Sequence, residues 1–321
     1  MKLNFKSPFL FLPLLFSFSL SDLSSDFYSV SCPNVELLVK DTIRFASSTD
    51  PTLLGKLVRL LFHDCIVEGC DGSVLVQGNR TERSDPANRS LGGFEVVEEA
   101  KRMIEALCPR TVSCADILVL AARDAVEIAG GPSVQVPLGR RDGLTSSISN
   151  VRPNMIDTGF SLDEMARLFS SKGLSIDDLV ILSGAHTIGS AHCTSFSERF
   201  QQDSKGNLVP IDSSMEKDFA TELIKQCPAN ANDTVTVSND MVTASLFDNQ
   251  YYRNLLDGRG LFKSDSVLFV DERTKGKVER LAEDEDEFFA KWRESFVKLA
   301  GVGVKTGERG EIRVSCVNVN E

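Results

Sequence analysis

The stretch Arg59-Leu60-Leu61-Phe62-His63-Asp64-Cys65 places a helical pattern and reactive side chains on one short run. Apolar residues recur at helical spacing at Leu54, Leu57, Val58 and Leu61, and Pro51 suits a first turn. On such a helix Arg59 and His63 stand four apart and share a face. Asp64 lies about 100° further round, so it cannot orient His63. A guanidinium and an imidazole on one face can polarise and deprotonate a small bound molecule, with Phe62 flanking them. The residues alone leave open a plainer alternative, a core histidine beside an unrelated surface arginine.

Outward from this segment the pattern stays helical. Val35, Leu38, Val39, Ile43 and Ala46 form one apolar stripe after Pro33, and Phe94–Leu107 forms another. Residues 115–129 are apolar almost all round, which predicts a central helix stopped by Gly130-Gly131. Residues 162–169 and 288–299 read as further helices. Ser175-x-x-Asp178 reads as a capping signal before Leu179. The acidic run 283–287 is a helix N-terminus, where carboxylates suit the dipole. Strand-like alternation is confined to 133–138 and 234–238, and loops fill 68–93, 139–158 and 203–214. The fold class is therefore mainly α, with minimal β-structure.

The chain has 321 residues with 42% hydrophobic and 25% charged, ordinary values for a soluble folded protein of one large domain or two packed ones. A net charge of −11 and no basic patch argue against nucleic acid as a partner. Lys2 and Lys6 precede an apolar stretch over 9–20, broken by Pro13 and followed by small polar residues. That pattern predicts a secretory signal peptide over 1–21, and losing its two lysines takes the net charge from −11 to −13. No later stretch approaches the roughly 20 apolar residues of a membrane span. In a secreted chain the eight Cys read as a disulfide set, with Cys65 and Cys70 able to close a local loop. Sequence alone cannot choose among the possible pairings, and the spacing of Cys65 and Cys70 disfavours zinc. Asn79, Asn88 and Asn232 open glycosylation sequons, so a glycoprotein is expected.

Two further clusters can carry chemistry. His186 sits among small residues in Leu182-Ser183-Gly184-Ala185-His186-Thr187-Ile188-Gly189, which lets a planar group approach closely. His192 lies about 240° round a helix from it and has no evident task. Asp64, Asp71 and Ser73 around Gly69 and Gly72, and Thr187 with Asp240, Thr243 and Asp248, are oxygen sets of the kind calcium prefers. Read alone, both sets serve equally well as turn and cap residues.

Together these residues resemble the secretory (class III) plant haem peroxidases over nearly the whole mature chain. The likeness rests on Phe62-His63-Asp64-Cys65, Gly69-Cys70-Asp71-Gly72-Ser73, Val112-Ser113-Cys114-Ala115-Asp116-Ile117, Gly139-Arg140-Arg141-Asp142-Gly143, Leu182 to Gly189, and Phe247-Asp248-Asn249-x-Tyr251-Tyr252. It also includes Ser31-Cys32-Pro33-Asn34 near the start and Gly310-Glu311-Ile312-Arg313 with Cys316 at the end.

The resemblance implies two helical domains sandwiching haem b: 22–160 plus 282–321 on the peroxide side, and 161–281 on the haem-ligand side. It makes His186 the axial ligand of the haem iron and Asp265 the acceptor of that ring's other N–H. It makes His63 the base acting on hydrogen peroxide, Arg59 the fixed charge, and Asn88 the group holding His63 in its tautomer. Asn88 should then be buried and unglycosylated. Two Ca²⁺ are implied. The distal one would be held by Asp64, Val67, Gly69, Asp71 and Ser73, with Glu82 through water. The proximal one would be held by Thr187, Asp240, Thr243, Leu246 and Asp248. The implied disulfides are Cys32–Cys108, Cys65–Cys70, Cys114–Cys316 and Cys193–Cys227. The expected activity is peroxide reduction to water with one-electron oxidation of small phenolic donors, by a monomer of the apoplast or cell wall.

Some positions depart from the family pattern. Leu61 stands where His is frequent, and Ala244 where Pro is usual. Ile156-Asp157-Thr158 replaces a Pro-x-Pro at the rim where reducing substrates enter. Asn239 replaces an apolar residue beside Asp240, which bears on the haem's reduction potential. The chain ends five residues after Cys316, without the long extension linked to vacuolar sorting, which favours the wall. Two other readings are a catalytically silent haem-binding wall protein on the same scaffold and a secreted hydrolase using Ser183. The second lacks a nucleophile elbow.

Overall fold

The computed structural model describes residues 23–232 and 234–321, so the signal expected over 1–21 lies outside the described residues. The fold is mainly helical, as expected. The first four helices are α1 (Val35–Thr49), α2 (Leu53–Val67), α3 (Phe94–Leu107) and α4 (Cys114–Ile128). A short α5 (Val151–Asn154) precedes α6 (Leu162–Ser171) and α7 (Ile176–Ser183). Then come α8 (Lys217–Gln226), α9 (Gln250–Leu256), α10 (Lys263–Val270), α11 (Glu272–Glu283) and α12 (Glu285–Ala300). Two small antiparallel sheets complete it: β1 (Ser190–His192) with β4 (Thr236–Ser238), and β2 (Phe200–Gln202) with β3 (Leu208–Pro210).

Helix α4 is the axle. Every residue from Cys114 to Val126 is buried, and α1, α2 and α3 all pack on it. Ser113 caps it by accepting from the Asp116 N–H at 3.1 Å. The Asp142 carboxylate takes the next free donors, the N–H groups of Cys114 and Ala115 at 3.1 and 2.9 Å, satisfying the positive end of the helix. Ser175 and Asp178 do form a reciprocal capping box on α7. Asp178 also accepts from Ser295 and Lys298, which ties α7 to α12.

One buried ion pair gathers distant segments. Asp116 accepts from the Tyr28 hydroxyl (2.7 Å), the Gly139 N–H (2.7 Å) and Arg140 Nη1 (2.7 Å). Arg140 in turn donates to the Ala300 carbonyl at 3.0 and 2.7 Å, closing the C-terminal end of α12. All four expected disulfides are present: Cys32–Cys108, Cys65–Cys70, Cys114–Cys316 and Cys193–Cys227. The runs around Asp116 and Arg140 are thus structural ties, not chemistry.

Three local expectations are corrected. Residues 133–138 alternate as a strand should, and Val134, Val136 and Leu138 are buried. No neighbouring strand runs alongside, and pairing is a single bridge from Leu138 to Ser24. The loops over 139–158 and 203–214 contain α5 and β3. Helices α8 to α11 carried no clear signal; α11, for example, buries only Thr274, Val278, Leu281 and Ala282.

Candidate active site

His63 and His186 are each oriented by a side chain far away in sequence. His63 lies on α2 and donates from Nδ1 to Asn88 Oδ1 at 2.7 Å. The Asn88 amide cannot be reversed, because its Nδ2 donates to the Glu82 carbonyl at 2.8 Å. With Nδ1 carrying the proton, Nε2 keeps its lone pair. Burial first, and the Arg59 charge second, hold the His63 pKa down at about 3, so the ring is a neutral base in the folded protein.

That depression has a sign. The unfolded chain takes up the proton near pH 6.5 and the folded one only near 3, so acid favours unfolding between those values. The His63 contribution is complete above pH 6.5, and roughly 3 kcal/mol of it is lost by pH 4. Urea midpoints measured from pH 7 to pH 4 should fall accordingly, and His63→Gln should flatten the slope.

Asn88 is 1% exposed and fully engaged, as its expected role requires. Glycopeptide analysis of the protein expressed through a secretory pathway should find Asn88 unmodified. A glycan there would contradict the role given to it.

Arg59 lies one turn before His63 on α2. It is exposed to solvent, yet enough protein surrounds the guanidinium for desolvation to lower its pKa to about 10. Its Nη1 donates to the Ser90 carbonyl and hydroxyl at 3.2 and 3.1 Å, which steadies the head group. Phe62 stands edge-on to His63, with ring centres 6.1 Å apart.

His186 follows α7 in a short 3₁₀ turn and is 39% exposed at its side chain. Its Nδ1 donates to Asp265 Oδ1 at 2.8 Å. Asp265 is itself fixed, because Oδ1 accepts from the Tyr251 hydroxyl at 2.9 Å and Oδ2 from the Phe262 N–H at 2.9 Å. Phe262 and Tyr251 also flank the imidazole edge-on at 5.3 and 5.9 Å. These two orienting roles were missed in the sequence, although Tyr251 lies in a motif already singled out. The two histidine-bearing segments meet at a glycine seam. A Cβ on Gly55 of α2 would lie 2.7 Å from the Gly189 Cα.

Several oxygen-bearing side chains expected at the distal calcium lie within electrostatic reach of one another. Asp64, Asp71, Ser73 and Glu82 are buried together, and the Ser73 hydroxyl and both Glu82 oxygens have no hydrogen-bond partner. Burial, then the Asp64 charge, pushes the Glu82 carboxyl up to about 9, and Asp64 is raised by burial and by Asp71. Unpartnered oxygens and mutually repelling buried carboxylates are what a divalent cation would relieve. The Val67 carbonyl accepts from Lys172 at 2.9 Å, and the Gly69 carbonyl from the Asp71 N–H at 2.8 Å. In the second set Thr187 donates to Asp248 at 2.8 Å and faces the Leu246 carbonyl at 3.5 Å, while Thr243 donates to Asp240 at 2.7 Å. Among the described residues no three His, Cys, Asp or Glu side chains suffice for a metal, so either site needs the hydroxyls and carbonyls.

Asn239 donates to the Ile188 carbonyl at 3.1 Å and leaves its buried Oδ1 unpartnered. His192 lies on β1, away from both clusters, with a buried Nδ1 that has no partner. Asp157 is exposed, and Thr158 is held by a hydrogen bond to the Ser195 carbonyl at 2.8 Å.

The site thus presents two oriented imidazoles, one paired with a carboxylate and one kept neutral beside an arginine. The chain belongs to the peroxidase family, whose pattern it matches over residues 39–284. It is similar to Peroxidase 18 of Arabidopsis thaliana, 58% identical over 99% of this chain and 97% of the relative. It is likewise similar to Peroxidase 46 of Arabidopsis thaliana, 60% identical over 94% and 93%, and to Peroxidase 66, 43% identical over 93% and 92%. The resemblance to class III plant peroxidases therefore holds, and the protein is a peroxidase. The family implies haem, hydrogen peroxide and a reducing substrate. No described helix is long and apolar enough to cross a membrane.

Proposed function

We propose that this chain is a secreted haem peroxidase that reduces hydrogen peroxide to water and oxidises small phenolic donors one electron at a time. The observation that carries this reading is the pair of oriented imidazoles, His63 on Asn88 and His186 on Asp265. Haem b, when bound, supplies the redox chemistry that side chains cannot. His186 would hold the haem iron through Nε2, with Asp265 making the ring a stronger donor. His63 Nε2 accepts a proton from one peroxide oxygen and returns it to the other. Arg59 offers a fixed positive charge as negative charge develops between them. Phe62 narrows access on that side. Phenolic donors would meet the rim at Ile156-Asp157-Thr158, where the exposed Asp157 adds a charge.

Two helical halves, 22–160 plus 282–321 and 161–281, would sandwich the haem. Two Ca²⁺ would occupy the sets around Asp64 and around Asp240, each next to one histidine segment. A leader pattern over 1–21, four disulfides and sequons at Asn79 and Asn232 support an apoplastic or wall location, where the protein would act as a monomer. Haem-loaded protein mixed rapidly with hydrogen peroxide should show a Soret change and then oxidise about two equivalents of guaiacol per peroxide. A bound haem that does not respond to peroxide would favour the silent wall protein instead. No observation favours that second reading.

A further inference from the structure

The distal oxygen cluster already holds a positive charge belonging to the chain. Lys305 lies just past α12, where its carbonyl accepts from the Arg141 N–H at 2.8 Å. From that anchor its ammonium reaches the Asp71 carboxylate and pairs with Oδ2. The Asp71 side chain is 1% exposed and that of Lys305 30%, so the charged head sits at the inner end of a partly covered stem. Asp71 has little freedom to turn away. Its Oδ1 accepts from the Ser73 N–H at 3.0 Å, and its carbonyl accepts from the Gly143 N–H at 2.8 Å. A Cβ on Gly143 would lie 2.3 Å from Asp71 Oδ2, so the backbone is packed against the carboxylate from behind. The proximal set differs. Among the described residues no Lys, Arg or His pairs with Asp240 or Asp248, and their oxygens meet only hydroxyl and amide donors.

We propose that Lys305 is a tethered cation that competes with calcium for Asp71, making the distal calcium weak and exchangeable while the proximal one is held tightly. The proposal rests on the calcium reading above. A divalent ion bound to Asp71 and an ammonium on the same carboxylate stand within a few ångströms, and like charges at that range in a buried site repel strongly. Calcium must therefore either tolerate the ammonium or drive it out along its exposed side. Either route weakens binding relative to the proximal set. Charge count sets divalent affinity in oxygen sites, and Lys305 offsets one of the two carboxylates, Asp64 and Asp71, that would bind the ion directly. Because Asp64 follows His63 directly, exchange at this site would bear on the peroxide side of the molecule.

The test uses haem-loaded, mature protein. Wild type, Lys305→Met, Lys305→Gln and Lys305→Arg are dialysed against graded chelator, bound calcium is counted by atomic absorption, and calcium is then titrated back calorimetrically. Asp240→Asn, which disables the proximal set, identifies which binding class is distal. Wild type should show two classes, the distal one weaker. Lys305→Met and Lys305→Gln should tighten that class about tenfold or more, and Lys305→Arg should match wild type. Equal distal affinity in wild type and both neutral variants overturns the competition. Absence of any second calcium in every variant overturns the distal calcium assignment, and the competition with it.

Discussion

Replacing His63 by alanine is expected to slow the reaction with hydrogen peroxide by about two to four orders of magnitude while leaving haem bound. Three features make the loss large. The ring is neutral at every working pH, because burial and Arg59 hold its pKa at about 3. Its tautomer is fixed by an amide that is itself fixed, so the lone pair is always on Nε2. Finally, Asp64 cannot substitute, because its two oxygens accept from the Gly72 and Val74 N–H groups at 2.9 and 3.2 Å. Haem retention follows from the other side of the site, where His186 and Asp265 are untouched. Rapid-mixing absorbance gives the rate, and the resting Soret band reports the bound haem. An unchanged rate in His63→Ala would refute the role of base. Asn88→Ala should fall between the two proteins, since it frees the tautomer without removing the ring.

The second large effect concerns folding. Removing the Cys114–Cys316 bridge as a double alanine variant should lower stability by about 5 kcal/mol, because it closes the longest loop of the four. Its sequence separation is 202, against 76, 34 and 5 for the others. The bridge joins the first residue of α4 to the C-terminal segment. Arg313 nearby donates to the carbonyls of Gly72 and Gly143 at 2.7 and 2.6 Å, and the Arg313 N–H donates to Asp142 at 2.9 Å. Urea unfolding under oxidising conditions measures the loss. A drop under about 2 kcal/mol would mean that these hydrogen bonds hold the segment without the bridge.

What could be read from the sequence followed physical range. Helices α1 to α4, α6, α7 and α12 announced themselves, because each buries one long stripe or a whole surface and periodicity survives over several turns. Helices α8 to α11 are short or polar and take their shape from neighbours; α9 and α10 are built around the buried Asp265 and Tyr251. The strands are three residues long, too short for alternation to show. The site divides similarly. Arg59 and His63 share a helix face, so local spacing found them. Asn88 is 25 residues from His63 and Asp265 is 79 from His186, and no local rule reaches that far. Family resemblance supplied those partners. Lys305 belonged to no motif, and only the fold brings it to Asp71.

The Asp116–Arg140 pair has a consequence for how well the molecule resists proteolysis. One carboxylate and one guanidinium hold Tyr28 near the start of the described chain, the Gly139 turn in the middle and Ala300 near the end. Peeling away either end segment strips the buried pair of a hydrogen-bond partner, at a cost of about 1–3 kcal/mol. Local fraying at either segment is thereby made less frequent. Proteases gain fewer partly opened forms to cut at these segments, which lengthens the protein's lifetime.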